Sequence, residues 1–272
     1  MELRRLAREA LCIADPAAKA AAAQALFDGC RAGHAALDAD AVLDEPAAAS
    51  GRPARPRLVD PAALPRRSPF TAAGRAALLH AVAHIEFNAI NLALDAAWRF
   101  PGLPADYYRD WLRVAAEEAV HFGLLRAHLQ TLDHDYGDFD AHDGLWAMAQ
   151  RTQGDLVARM ALVPRTLEAR GLDATPPMQA RLAQAGDQRA VAILDVILRD
   201  EVGHVAIGNR WYAWACAQRG LDPLAHYPLL ARQYRAPRLQ PPFNLAARRD
   251  AGFHPDELLA LQAAAAADHP PS

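Results

Sequence analysis

In the stretch Arg199-Asp200-Glu201-Val202-Gly203-His204 a carboxylate and an imidazole, Glu201 and His204, stand three residues apart. On an α-helix that spacing puts both side chains on one face, one turn from each other. So placed, the two can hold the same metal ion. Glu118-Ala119-Val120-His121 repeats the pattern, again preceded by an acid: Glu117 there, Asp200 here. Each copy also has an isolated glutamate upstream at nearly the same distance. Glu86 lies 32 residues before Glu118, and Glu168 lies 33 before Glu201. A Glu followed by Glu-x-x-His, occurring twice, is the ligand set of a carboxylate-bridged dinuclear metal site in a four-helix bundle.

The chain around these residues reads as helix. Alanine is plentiful and β-branched runs are scarce, so helix is the favoured local state. Residues 3 to about 37 read as helical, with Asp15 as N-cap, Pro16 at a first helical position, and Leu26, Phe27, Cys30 and His34 as a buried stripe. The first long helix is expected over Thr71 to Arg99, with Leu78, Leu79, Val82, Ile85, Glu86, Ala89, Ile90 and Ala93 recurring at helical spacing. Glu86 therefore sits in or beside an apolar stripe, where a carboxylate needs a cation or a proton. A second helix follows from about Pro104 to Leu132, with Tyr107, Trp111, Val114, Glu118, His121, Phe122 and Leu125 inward. A third is expected from His142 to Arg170, capped by Gly171 and distorted at Pro164, one turn before Glu168. Pro176-Pro177 reads as the start of a further helical region that Gly186-Asp187 breaks. The fourth long helix then runs from about Asp187 to Gln218, where Gly203 and Gly208 permit close helix approach and Gly220 closes it.

The flanks are different. Between residues 45 and 69, Pro46, Pro53, Pro56, Pro61, Pro65 and Pro69 forbid regular structure, and Arg52, Arg55, Arg57, Arg66 and Arg67 make the segment basic. It reads either as an extended strap or as an arm that contacts an anion or RNA. Residues 221 to 250 are also proline-punctuated and read as a non-helical strap, followed by a short helix over Asp256 to Ala267 and a frayed end. Leu58, Val59, Leu64, Phe70, Tyr227, Leu229, Leu230, Phe243 and Leu245 are the expected apolar anchors.

Composition sets the outer bounds. The 272 residues are 52% hydrophobic, enough for a sizeable core, and the formal net charge of -3 argues against a broad nucleic-acid footprint. Cys12, Cys30 and Cys216 form neither a disulfide framework nor a zinc pattern and fit a reducing cytosol. Charged residues interrupt each apolar run short of a bilayer span, and Asp15, Pro16 and Lys19 break any secretory pattern. A cytoplasmic protein without a membrane partner is the expectation.

Carboxylates and imidazoles suit iron or manganese rather than a thiolate-loving metal. Four carboxylates with two neutral histidines balance two divalent ions. Glu117 and Asp200 are candidates to accept the free ring N–H of a ligating histidine. His80 and His84, at i and i+4, are rival ligands or ordinary polar residues; Asp155 is a rival to Glu168.

Over roughly residues 70 to 218 the chain resembles the ferritin-like superfamily of di-iron carboxylate proteins, through Glu86, Glu118-x-x-His121, Glu168 and Glu201-x-x-His204. It is more closely similar to a bacterial family of uncharacterised ferritin-like proteins. That likeness rests on Arg52-Pro53-Ala54-Arg55-Pro56, His84-Ile85-Glu86, Asp200-Glu201-Val202-Gly203-His204 and Pro241-Pro242-Phe243-Asn244. The resemblance implies a di-iron centre and oxygen chemistry; one superfamily relative hydroxylates a modified tRNA base. The expected architecture is all-α. An N-terminal helical segment and Pro/Arg-rich strap (1–69) precedes a ferritin-like four-helix bundle (70–219), and a C-terminal strap and short helix (220–272) follows.

The expected function is a non-haem di-iron, or manganese–iron, oxidoreductase that activates oxygen or peroxide against a small organic substrate. An unidentified electron donor serves it, and the chain acts as a monomer or homodimer. Glu86, Glu118, Glu168 and Glu201 are the expected catalytic carboxylates; with His121 and His204 they make the expected ligands of two iron ions, with manganese possible at one position. The competing readings are a ferroxidase or iron store, an RNA-modifying hydroxylase using the basic arm, and a bundle that keeps its metal for stability alone.

Overall fold

The computed structural model describes residues 2–45, 50–65 and 68–268. Pro46, Arg66, Arg67 and the end expected to fray, 269–272, lie outside the described residues. In order come α1 (Leu3–Leu11), α2 (Pro16–Arg31), a 3-10 turn (Pro61–Ala63), α3 (Ala72–Arg99), α4 (Ala105–Gln130), α5 (Gly144–Arg151) and α6 (Leu156–Leu162). A π turn (Val163–Glu168), α7 (Ala169–Gln184), α8 (Gln188–Gln218), α9 (Pro223–Gln233), α10 (Leu245–Asp250) and α11 (Pro255–Asp268) complete the chain. The described residues are mainly helical and contain no strand, so the class is all-α. Among the described residues the extended pairings are two isolated bridges, Glu2 with Ala36 and Leu58 with Ala141.

Helix starts follow the sequence closely. Asp15 caps α2 by accepting from the Ala18 N–H at 2.7 Å, with Pro16 at the first position; Thr71 caps α3 by accepting from Gly74 at 3.1 Å. Asp155 caps α6, accepting from Val157 and Ala158, and is paired with Arg219 at 3.1 Å. Its side chain is thus engaged at a helix start, which removes it as a rival ligand.

The backbone divides into two compact units, the first comprising residues up to 146 together with 182–193, the second residues 147–181 and those from 194 onward. In the first, α3 packs along α4, α2 lies on α4, and α1 on α3. Alanines are frequent among the buried residues of α3. Here the structure corrects the expectation that no run is long enough to cross a bilayer: α3 has the length and composition, with mean hydropathy 1.3 over its most apolar window. That window is 83% buried inside the protein, as a core helix is. Ile85, expected inward, is 45% exposed. The N-terminal helical stretch is two helices ending at Arg31. Its buried stripe is Lys19, Ala20, Ala23 and Leu26; Phe27 and Cys30 are half-buried, and His34, placed past the helix end, is exposed. Lys19 carries its amine to the Gly51 carbonyl at 2.7 Å and to Asn91 Oδ1, so a buried amine anchors the loop after α2.

The segment 50–65 is irregular apart from one 3-10 turn, as its prolines require. Polar contacts hold it more than the expected anchors do. Leu58 and Phe70 are exposed, whereas Arg52 pairs with Asp143 at 2.6 Å, Val59 N–H donates to the Ala141 carbonyl at 2.8 Å, and Arg57 makes a fork to Asp140. Two of the arginines that suggested an RNA-contacting arm are therefore occupied by acids of the same unit.

In the second unit the expected third helix is replaced by three pieces. A turn at Thr152–Asp155 separates α5 from α6, and α6 passes through the π turn into α7. Pro164 does distort the helix: without an N–H it cannot continue the α ladder, and the backbone widens to π over six residues. Thr166 Oγ1 donates to the Ala161 carbonyl at 2.7 Å, occupying an acceptor that the distortion loosens. Gly171 is not a C-cap. α7 continues through it, and through Pro176 and Pro177, to Gln184, because Ala169 and Leu172 are fully buried in a cluster with Val205, Ala247, Ala251, Phe253 and Leu258. The segment 221–250, expected to be non-helical, holds α9 and α10, each started by a side-chain cap, Asp222 and Asn244.

Gly208 has a specific structural duty. A Cβ there would lie 2.6 Å from Pro164 Cβ, so only glycine lets α8 receive the π turn. Gly203, also proposed for close approach, has open space around it. Gly208→Ala is expected to cost about 1–3 kcal/mol by overpacking, while Gly203→Ala should stabilise by up to ~1 kcal/mol through helix propensity. Chemical denaturation of both variants checks this pair; equal effects would refute the role given to Gly208.

Candidate metal centre

The interior of α3 carries an unusual set of polar residues, and most have partners that account for them. Asn91 Nδ2 donates to the Phe87 carbonyl at 3.0 Å, one turn back, and Asp95 pairs with Arg99 at 2.8 Å. His80 Nε2 accepts from the Gly137 N–H at 2.9 Å and its ring stacks on Tyr136. His84 accepts from the Tyr136 hydroxyl at 2.9 Å and donates to the His142 carbonyl at 3.1 Å. Burial, with the positive charge of Arg52 adding to it, drives His84 down to about 3, so it stays neutral. Both histidines tie the 133–143 loop to the helix, which is the ordinary polar role rather than ligation.

Glu86 has a different neighbourhood. It is 4% exposed on α3 and faces α4, where Glu118 and His121 are 1% and 0% exposed. His121 Nδ1 lies 3.1 Å from Glu86 Oε2 and 3.3 Å from Glu118 Oε2. One ligand atom from each residue lies within 4.8 Å of the others, a spacing at which the three can hold a metal ion. Burial disfavours the imidazolium, but the hydrogen bonds to Glu118 and Glu86 outweigh it and raise His121 to about 11. The physical content is simple: two buried carboxylates side by side require a positive charge between them, whether a proton on the imidazole or a cation. Aromatic rings pack between the same two helices and the 133–143 loop. Phe87, Phe122 and Tyr136 meet pairwise with centroids 5.1–5.6 Å apart. Tyr107 and Trp111, on the same helix as Glu118, are fully buried and pack edge to face at 6.3 Å.

The second unit carries the other copy of the motif. Glu201 and His204 are both buried on α8, and Glu201 Oε1 lies 3.5 Å from His204 Nδ1. The contact of Pro164 with Gly208 fixes how the π turn meets α8. Ala169 and Leu172 share a cluster with Val205, against which the partly buried Val202 and Leu198 pack. Glu168 is half-buried.

The structure thus brings Glu86, Glu118 and His121 together within one unit, and sets Glu201 beside His204 in the other, where Glu168 ends the π turn. Glu117 is half-exposed, 3.9 Å from Arg113, and Asp200 is bound by Arg199 at 2.8 Å. Sequence reading missed Tyr136, which packs on Phe87 and Phe122 and positions His84. It sits in a polar loop where no periodicity marks a residue as buried.

Comparison with known proteins agrees with the sequence in kind without supplying an activity. No solved structure matches the chain. It is 54% identical over 213 residues to an uncharacterized protein of Haemophilus influenzae (strain ATCC 51907 / DSM 11121 / KW20 / Rd), a match covering 76% of this chain and 74% of that one. A family model matches residues 12–259, and the chain accordingly belongs to the family described as "Protein of unknown function (DUF455)".

Proposed function

We propose that Glu86, Glu118, His121, Glu168, Glu201 and His204 form one carboxylate-bridged dinuclear centre in a ferritin-like four-helix bundle, and that the protein is a non-haem oxidoreductase. The observation that carries this reading is the buried Glu86–Glu118–His121 cluster, together with its repeat as Glu168, Glu201 and His204. The donor set fits the metals: hard carboxylate oxygens with two imidazoles favour iron or manganese. Bound there, a pair of such ions supplies redox chemistry toward oxygen or peroxide.

The chain's own residues do the rest. Glu86, Glu118, Glu168 and Glu201 supply the negative charge that holds two divalent cations. His121 and His204 bind as neutral imidazoles, so loading releases the proton that Glu86 and Glu118 otherwise hold on His121. The burial of Glu86, Glu118 and His121 keeps water from the cluster, which strengthens each electrostatic contact within it. The substrate class is a small organic molecule, the setting cytoplasmic and the working form a monomer or homodimer. The pairing of Arg52 and Arg57 with Asp143 and Asp140 supports this over an RNA substrate.

Protein purified without chelator is expected to carry about two transition-metal ions per chain. Elemental analysis gives the count. Optical spectra of the reduced, loaded protein should change when oxygen or peroxide is added. A chain that takes up no metal, even when offered iron(II) or manganese(II) without oxygen, overturns the centre. A loaded chain inert to both oxidants overturns the oxidoreductase reading while leaving the centre in place.

A further inference from the structure

A cavity of about 620 Å³ lies within the second unit, bounded by α9, the loop that follows it, and α11. That volume is in the range of small-molecule sites, about 300–1,000 Å³. Leu224, Tyr227 and Ala231 recur at helical spacing, so α9 turns one apolar face to the cavity. Phe253, Leu258 and Leu261 extend the same hydrocarbon wall.

The frame of the cavity is fixed by groups outside its lining. Arg151 Nη1 donates to the Tyr234 carbonyl at 2.7 Å, and Arg170 Nη1 to the Gln240 carbonyl at 2.6 Å, so the lining loop is pinned at both ends. Asn209 Nδ2 donates to the Ala251 carbonyl at 2.7 Å and holds the turn before Phe253. A site whose walls are set in advance costs little to order when a ligand enters.

The buried polar groups of the wall bond to protein partners. Arg165 pairs with Glu257 and lies over the rings of Tyr227 and Phe253 at 4.7 and 4.9 Å. Arg248 is held by Asp173 at 2.6 Å. The Tyr227 hydroxyl meets Thr166 Oγ1 at 2.9 Å. Among the described residues the lining contains no serine, threonine, asparagine or glutamine. A sugar or nucleoside enclosed there would leave its hydroxyls and ring nitrogens without partners. A hydrocarbon body would not. The other charges of the lining, Arg232, Arg235, Arg238 and Asp256, stand at exposed positions, where charge pairing contributes little. The wall itself has apolar surface to cover: Leu224 is 37% exposed on it.

We propose that this cavity binds an uncharged small organic molecule with a hydrocarbon body, enclosed along the Leu224–Phe253–Leu261 wall and held by burial rather than by paired charges. The site stands on its own residues and does not rest on the metal centre.

Calorimetric titration of the full chain with hexanol, octanol, decanol and decanoate tests it. Decanol should bind saturably at one site. Each methylene added from hexanol to decanol should tighten binding about three- to fourfold. Decanoate should bind no more tightly than decanol. Ala231→Phe fills the cavity from α9 and should weaken decanol at least about tenfold. Leu261→Asn places an amide on the wall and should weaken it at least about threefold. Leu261 is half-buried, so this second variant is expected to fold as the parent does. Leu229→Asn, also on α9 but 50% exposed and outside the lining, should leave decanol binding unchanged. The site is overturned if decanol does not saturate, if affinity does not rise along the series, or if Ala231→Phe and Leu261→Asn both bind as the parent does. A loss in Leu229→Asn equal to that in Leu261→Asn also overturns it, since surface adsorption would then account for the binding. Decanoate binding more tightly than decanol overturns the uncharged class.

Discussion

His121→Ala and His204→Ala are each expected to lose at least one of the two metal ions per chain, and with it the part of the thermal stability that depends on metal. His121 Nδ1 lies within 3.3 Å of both Glu86 and Glu118, so its removal takes away a donor and leaves two buried carboxylates with no imidazole between them. Removing one member of a buried charged set costs roughly 3–5 kcal/mol. The metal-free variant should therefore be less stable than the metal-free parent as well as poorer in metal. Loading gives a second readout. At free metal near 100 times its dissociation constant, binding stabilises the parent by about 2.7 kcal/mol, and the melting temperature should rise with iron(II) or manganese(II). In either variant the rise should shrink markedly. If His204→Ala keeps its full metal content while His121→Ala loses it, the two motifs do not share a centre, and the proposal reduces to a mononuclear site on α3 and α4.

Asp173→Ala should be among the most destabilising substitutions in the chain that touch no candidate ligand. Asp173 and Arg248 are each 1% exposed and paired at 2.6 Å, with Arg248 Nε a further 3.0 Å from the other carboxylate oxygen. The same carboxylate accepts from the Asn244 N–H at 2.9 Å, so it holds the start of α10 against α7. Deleting the acid leaves a guanidinium buried and uncompensated, at a cost of about 3–5 kcal/mol. The double variant Asp173→Ala/Arg248→Met removes both charges and keeps most of the apolar volume. It should recover a large part of the loss. Denaturant unfolding of the two single variants and the double decides the matter. A cycle in which the losses simply add would show that the pair is not coupled.

Helix starts and the placing of each Glu-x-x-His on one helix face were legible because both are local. Asp15-Pro16 and Thr71 act within one turn of themselves, so a short window of sequence contains the cause. Glu118 and His121 share the buried face of α4 for the same reason, as do Glu201 and His204 on α8. The distortion at Pro164 was also readable, since a missing N–H acts on its own helix. Reading Gly171 and Pro176-Pro177 by the same local rules failed. Those rules describe a weak preference, and the burial of Ala169 and Leu172 with the Asp173–Arg248 pair outweighs it and carries α7 through all three residues. The C-terminal segment misled in the same way: its prolines suggested a strap, but Pro223 occupies the first position of α9, where proline is tolerated.

By itself the sequence determined an all-α chain and a doubled pattern of carboxylates and imidazoles at metal-binding intervals. Those properties follow from a period of 3.6 residues and from side-chain chemistry, and neither depends on what lies across the core. The tertiary structure decided which polar residues are already occupied. His80 and His84 are held by the loop that carries Tyr136 and Gly137, and Asp155 by the helix it starts. Arg52 and Arg57 are held by Asp143 and Asp140, and Asp173 by an arginine 75 residues away. Such pairings form because a buried charge or polar group without a partner is expensive. The partner that meets the cost is chosen by packing between distant segments, which leaves no periodic mark along the chain.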